Sequence, residues 1–408
     1  MAVAPENHLD SPAVLTISPR GIDRRWTVFT LLVVASVTEA MFLLLPSFVG
    51  ALDDVLHFTP ERTGLLGSAD LAGIALATAT GPWWLRRVSW RRLVLISLGA
   101  FLIINGLCFG VISFPILLGL RVLAGIAAGI AYVVALAGIV DTREVARNTA
   151  LLVFLQVVFA AAGVYALDAV RIPWRLDAVY IYILAWTIPA LALCWRCFPE
   201  NPGDRVQTGG IDWRRVAAPG AAALIGTALY FLMIGGVWGY LEGIARAAGL
   251  SLSETGAALS IGLVISLVGP ALAAWLGLRL GRTLPLMITA IVQVASLYFL
   301  IQLKAFSDVV IAFYIVNTIF QLFWNYIIAY FIIIFNDIDG SGRFVALYGM
   351  AAHLTLAIGP YLGAFLIRDG GYAALLWFGI GAVIICYGSF LAAVRLTSKA
   401  EHFDMGRE

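Results

Sequence analysis

Twelve apolar runs, six on either side of one hydrophilic stretch (FPENPGDRVQTGGIDWRR, Phe198 to Arg215), constrain this chain more than any other feature. They cover residues 26–50, 64–85, 93–112, 115–140, 147–168, 177–197, 219–241, 255–278, 284–303, 309–335, 344–367 and 372–395. Each is about 20 residues or longer, and at ~1.5 Å per residue that carries a helix across a hydrocarbon core of ~30 Å. Backbone amides in lipid must be satisfied within their own segment, which helices achieve, and the alternating ten-residue strands of a barrel are absent from the sequence. Of the residues, 62% are hydrophobic and only 12% charged, whereas soluble domains carry about 25% charged residues. The expected fold is therefore an all-α membrane protein of twelve transmembrane helices in two six-helix bundles. The divisions follow from the runs: a cytosolic tail over 1–25, bundles over 26–197 and 219–395, a cytosolic linker over 198–218 and a cytosolic tail over 396–408.

The basic residues orient the chain. Of 26 Lys and Arg, six (Arg62, Arg171, Arg175, Arg246, Lys304 and Arg368) fall in one set of gaps, Arg121 falls within a run, and the other nineteen fall in the opposite set with the tails. Positive charge stays inside, so both termini are expected in the cytosol, in a multi-pass protein of the cytoplasmic (inner) membrane. No small-residue cleavage site precedes the first run, and no removed signal peptide is expected. A net charge of +2 is too small to imply a nucleic-acid partner. Cys194 and Cys197 form a CxxC, but no second pair or neighbouring His completes a zinc set, so they and Cys108 and Cys386 read as reduced packing thiols. No cofactor is implied, and no glycine loop for a nucleotide is present.

The halves resemble each other. A slide of 192 positions aligns Thr63-Gly64 with Thr255-Gly256, Ser68 with Ser260 and Arg87 with Arg279; a slide of 196 aligns Asp141 with Asp337, Arg147 with Arg343 and Gly163 with Gly359. Corresponding positions thus carry corresponding residues, as in a parallel six-helix repeat. Helix starts agree: Thr59-Pro60-Glu61 supplies a cap, a first-position proline and an early acid, and Ser251 with Glu254 has capping-box spacing.

With these features the chain resembles the major facilitator superfamily of secondary transporters, over essentially all of residues 20 to 397. The family's signature after the second helix reads here GPWWLRRVSWRR, with Arg86, Arg87, Arg91 and Arg92 as its basic cluster and Leu85 in place of its acid. Its counterpart, AWLGLRLGR, keeps Arg279, Gly281 and Arg282 and has Leu278 in the acid's place. The fourth run, RVLAGIAAG, places Arg121, Gly125 and Gly129 at the spacing of the family's intramembrane arginine motif, and the eleventh, AIGPYLG, carries Gly359, Pro360 and Gly363. The Gly-Pro pair of the antiporter signature is missing from VVFAAAGVYAL. For the glycines, close helix packing is the simpler reading than substrate contact. The resemblance implies a substrate cavity between bundles at mid-membrane and rocking-type alternating access.

Charged groups within a span cost roughly 2.5–3.5 kcal/mol each on insertion scales, so they face a cavity or a partner. Glu39, Asp70 and Arg121 are three such groups, all placed by counting residues in one layer roughly 9–10 Å below the outer surface. Two carboxylates and one guanidinium cannot all neutralise each other, so one acid is expected to take up and release a proton, and the three together form the candidate proton-coupling set. A fixed Arg–acid pair joining helices is the alternative. In the second half, Asn317, Gln321 and Asn325 recur at steps of four on one helix face. His353 lies near Gln321 in depth and reads equally as a packing or a pocket residue; Tyr230 and Trp238, two turns apart, offer an aromatic wall with polar tips. With Arg121 these six complete the candidate substrate-binding set.

The expectation is a monomeric, proton-coupled transporter in the lipid bilayer, not an enzyme, for a small-molecule substrate. Arg121 suits an organic anion, with a ring to meet the aromatics, because a guanidinium binds a carboxylate bidentately. A second reading is an exporter of amphiphilic or cationic compounds with Glu39 as acceptor. An intramembrane hydrolase would need a nucleophile and base at cavity depth, and His353 has no evident partner there in the sequence.

Overall fold

The computed structural model describes residues 21–200, 213–339 and 343–405. Expectations that fall elsewhere (most of the N-terminal tail with Arg20, the linker around Arg205, and Arg407) lie outside the described residues, as do the side chains of Arg214, Arg215, Arg343 and Lys399.

Regular structure among the described residues is helical. The first half contains α1 (Arg25–Thr38), α2 (Ala40–Leu43), α3 (Leu45–Leu56), α4 (Pro60–Trp84), α5 (Trp90–Leu107), α6 (Phe114–Val140), α7 (Val145–Asp168) and α8 (Arg175–Cys197). The second contains α9 (Trp213–Ala248), α10 (Leu252–Ser266), α11 (Val268–Leu276), α12 (Thr283–Ile301), α13 (Val309–Ile338) and α14 (Arg343–Met405). The end carrying Arg25 is called proximal and the opposite end distal.

By length and composition, nine helices among the described residues are able to cross a membrane. Three sequence features separate this tally from the twelve expected. Run 26–50 is broken into α1, α2 and α3, because Pro46 has no N–H for the Phe42 carbonyl four residues back and its ring clashes there; the chain bends at Glu39 (φ −88, ψ 3) and Leu44 (φ −100, ψ 10). α4 is diluted by Gly, Ser, Thr and Asp70. The 63 residues of α14 merge two runs, yet Gly371 (φ 66, ψ −172) turns the chain between them, a conformation open only to glycine at little cost. The expected capping box forms at Ser251: its Oγ accepts from the Glu254 N–H at 3.3 Å and its own N–H donates to Glu254 Oε2 at 2.8 Å. Thr59 caps α4 without a side-chain hydrogen bond, so there the proline at the first position marks the start.

Small residues set how closely the helices approach. A Cβ on Gly125 would lie 2.2 Å from the Asp70 carbonyl oxygen, and one on Gly129 2.7 Å from Ile74 Cα, so α6 meets α4 backbone to backbone. Gly359 meets Gly236 of α9 in the same way, at 2.6 Å. Close packing of this kind replaces the hydrophobic drive that lipid cannot supply.

The two halves face each other through α4 against α14, α7 against α10 and α3 against α9. At the distal end they touch: a Cβ on Gly64 would lie 2.8 Å from the Pro360 carbonyl oxygen, the Tyr361 N–H donates to Ser68 Oγ at 3.0 Å, and Arg368 pairs with Glu61 at 3.1 Å. Toward the proximal end α4 parts from α9 and α14 around a crevice of about 750 Å³ lined by Ala75, Ala79, Leu224, Ile225, Leu347 and Leu354. The repeat is visible in contacts as well. Arg86 lies 3.8 Å from Asp141, and Arg282, 196 positions later, donates Nη2 to Asp337 Oδ1 at 2.8 Å. With Leu85 and Leu278 in the signature acid positions, these acids at the ends of α6 and α13 meet the basic cluster instead.

Candidate functional site

The three charges expected in one layer separate into two pairs. Asp70 and Arg121 are 1% and 0% exposed, with Oδ2 3.6 Å from Nε. Arg121 also donates Nη2 to Asn105 Oδ1 at 2.9 Å and lies 5.3 Å from the centroid of the Tyr180 ring. This set stands inside the first half among α4, α5, α6 and α8. Arg121 Nε and Nη1 and Asp70 Oδ2 make no hydrogen bond.

Glu39 stands apart from them. The broken run continues to Leu56, so Glu39 lies near mid-depth rather than in the outer layer, and its Oε1 is 3.4 Å from His353 Nε2 of α14. The contact crosses between halves. His353 Nδ1 is 2.8 Å from the Gly349 carbonyl oxygen, which can only accept, so Nδ1 carries a hydrogen and Nε2 is the nitrogen left for Glu39. Glu39 Oε1 faces that nitrogen at 3.4 Å and makes no hydrogen bond. The Tyr132 ring packs against the imidazole with centroids 5.6 Å apart.

Aromatic groups gather beside this pair. The Trp238 Nε1–H donates to the Phe42 carbonyl at 2.9 Å, supplying a donor to the acceptor that Pro46 cannot serve. The Trp324 ring meets Trp238 at 5.8 Å and Phe42 at 6.1 Å between centroids, and its Nε1 makes no hydrogen bond. Tyr230, expected beside Trp238, turns away into the second half: Gln293 Nε2 donates to its hydroxyl at 2.8 Å, and Tyr387 donates to Gln293 Oε1 at 3.0 Å.

The amide stripe of α13 runs along α10. Asn317 donates to the Ala258 carbonyl at 2.9 Å, Gln321 donates to Asn317 Oδ1 at 2.7 Å, and Asn325 donates to Ser266 Oγ at 3.0 Å. Asn317 and Gln321 are 0% exposed and Asn325 is half-buried. A Cβ on Gly262 would lie 2.6 Å from Asn317 Nδ2, so a glycine admits the amides to the α10 backbone.

A third charged set had no counterpart in the sequence reading. At the distal end Arg175 of α8 is fully buried and touches Asp54 at 2.8 Å, Asp168 at 2.5 Å and Glu242 at 2.6 Å. Arg175 and Arg246 read as loop cations in sequence, and each acid sits at a helix end where exposure is the ordinary expectation.

Residues 223–404 match the sequence profile of the Major Facilitator Superfamily. The chain also superposes on the nucleoside transporter NupG with a TM-score of 0.70 over 90% of this chain and 99% of that one, at 11% identity. The second half thus carries the superfamily's profile, and the chain as a whole has the fold of this solved transporter. A D-xylose–proton symporter is similar over 91% of this chain and 97% of its own, with a TM-score of 0.68 at 15% identity. A bacterial homologue of the human lysosomal transporter Spinster, in an inward-facing and occupied conformation, has the same coverage, TM-score and identity. These likenesses establish the fold. No curated protein sequence matches the chain.

Proposed function

We propose that this protein is a secondary transporter of the major facilitator superfamily, that it moves a small organic solute across the cytoplasmic membrane by alternating access with both termini cytosolic, and that transport is proton-coupled through the Glu39–His353 contact. The observation that carries the reading is the position of this pair: a carboxyl and an imidazole 3.4 Å apart, on opposite halves at mid-depth. A solute docking between the halves there competes with His353 for Glu39, so the proton's location and solute binding are linked. A D-xylose–proton symporter among the structural neighbours lends proton coupling precedent within the fold.

The geometry favours a solute with a flat or aromatic part and a neutral or cationic polar end. Trp238, Trp324, Phe42 and Tyr132 supply rings, and Glu39 supplies the acceptor that a donor on the solute would take from His353. The organic anion suggested by Arg121 draws less support, because that guanidinium is fully buried and already faces Asp70 and Asn105. In this reading Asp70 and Arg121 hold the first half together, Asn317 and Gln321 brace α13 on α10, and Asn325 borders the cavity from the proximal side.

Purified protein in liposomes on a solid-supported membrane, exposed in turn to aromatic amines, nucleosides, pentoses and aromatic carboxylates, tests this directly. Transient currents from an amine or neutral ring compound, altered by an imposed pH gradient, are expected. Currents from carboxylates alone would return Arg121 to the substrate site.

A further inference from the structure

The distal cluster holds more acid than base. Asp54 of α3, Asp168 of α7 and Glu242 of α9 meet Arg175 and Arg246, so three carboxylates share two guanidiniums. Arg175 Nη1 donates to Asp54 Oδ2 at 2.8 Å and Glu242 Oε1 at 2.9 Å; its Nη2 donates to Asp168 Oδ1 at 2.5 Å and Glu242 Oε2 at 2.6 Å. Arg246 Nη1 donates to Asp54 Oδ1 at 2.8 Å and lies 3.5 Å from Glu242 Oε1.

Asp168 has the poorest share. Its Oδ1 accepts from Arg175 and from Ser47 Oγ at 3.1 Å, while Oδ2 is buried and has no hydrogen-bond partner. It is 4% exposed and pressed against α10, where a Cβ on Gly256 would lie 2.7 Å from Oδ2. Glu242 is seated likewise against α3: a Cβ on Gly50 would lie 2.1 Å from its Oε1. Other titratable groups near the cluster are Asp53 of α3, which is exposed, and Tyr372 of α14, whose hydroxyl packs on Gly243; neither adds a positive charge.

An uncompensated carboxylate sealed from water is expensive, whereas a neutral carboxyl is not. We infer that the distal cluster is a proton-binding site, filled at Asp168 when the distal ends of the two halves close and emptied when they part. Asp54, Asp168 and Arg175 belong to the first half and Glu242 and Arg246 to the second, so opening divides the cluster and admits water to Asp168. Closure takes up one proton, and opening returns it to the distal side. Acid therefore favours the closed distal gate and base favours opening. The site lies on the gate rather than in the central cavity, and the inference rests on alternating access but not on the role given to Glu39.

The test is a distance measurement between nitroxide labels on Ile172→Cys and Ala247→Cys, both exposed at the distal end, in the full chain with its four native cysteines replaced. As pH is raised from 5 to 8, the ratio of long to short distances should grow by up to tenfold per pH unit across the titration, the slope for one proton. Asp168→Asn should remove that slope and hold the gate closed. Glu242→Gln, which also leaves two carboxylates for two guanidiniums, should flatten it too and serves if the first variant does not fold. Glu39→Gln should leave the slope intact. A slope that survives both cluster variants, is missing from the parent or is lost in Glu39→Gln overturns the inference.

Discussion

The buried pair of Asp70 and Arg121 yields a sharp stability prediction. Asp70→Asn keeps the shape of the side chain but leaves the guanidinium of Arg121, 0% exposed, with only Asn105 and the Tyr180 ring. Removing one partner of a buried pair costs about 3–5 kcal/mol, because the remaining charge is uncompensated. The Nε–Oδ2 distance of 3.6 Å and the retained Asn105 bond put this case at the low end, about 3 kcal/mol. Unfolding entropy of about 2.1 cal/mol/K per residue makes 1 kcal/mol worth roughly 1 °C in a chain of 408 residues. A tryptophan-fluorescence melt in detergent should therefore show Tm lowered by about 3 °C. The double variant Asp70→Asn with Arg121→Gln should recover most of that loss, since no charge is then buried. The reasoning fails if the single variant melts with the parent, or if the double variant is destabilised by the sum of the single effects.

Three further outcomes follow from the same contacts. Gly262→Ala should drive Asn317 and Gln321 off the α10 carbonyls, destabilising the second half by about 1–3 kcal/mol in the same melt, whereas Gly99→Ala, whose Cβ would meet nothing within 4 Å, should be near neutral. Trp238→Phe keeps an aromatic ring but leaves the Phe42 carbonyl only the shared Leu44 N–H; a loss of about 1 kcal/mol in the melt is expected, and Pro46→Ala in that background should restore part of it by returning an N–H. Arg282→Ala should weaken the α13 end at Asp337 more than Arg86→Ala weakens its repeat-related contact, read as faster proteolysis at the proximal face, because the first pair is bidentate and the second is 3.8 Å apart.

The helices, the repeat and the glycine seams were legible because lipid enforces them: length, apolarity and small residues are local properties of the chain. The site was legible only in part. Glu39, His353 and Trp238 were singled out as polar groups in apolar runs, yet their meeting was not, because counting from the edge of a run misses the extension of the first helix to Leu56 and so misplaces Glu39 in depth. Tyr132 and Trp324 carry no signal in the sequence, since an aromatic in a span is ordinary until its neighbours are known. Facing was the other gap. Tyr230 and the amides of α13 are polar on helices that are apolar all round, which leaves their direction to tertiary contacts with Gln293 and α10. The distal cluster was invisible for a different reason: Arg175, Asp168 and Glu242 lie at helix ends, where water is the default partner, and only the closing of two halves buries them.

The central claim, that a proton moves through Glu39 and His353, is tested most directly by proton flux in liposomes carrying a trapped pH-sensitive dye. A solute active in the current panel, added on one side, should change the internal pH in parent protein. Glu39→Gln should abolish that change while labelled solute still exchanges for unlabelled, because the amide keeps its shape and cannot carry a proton. Proton flux at the parent rate in Glu39→Gln would contradict the account.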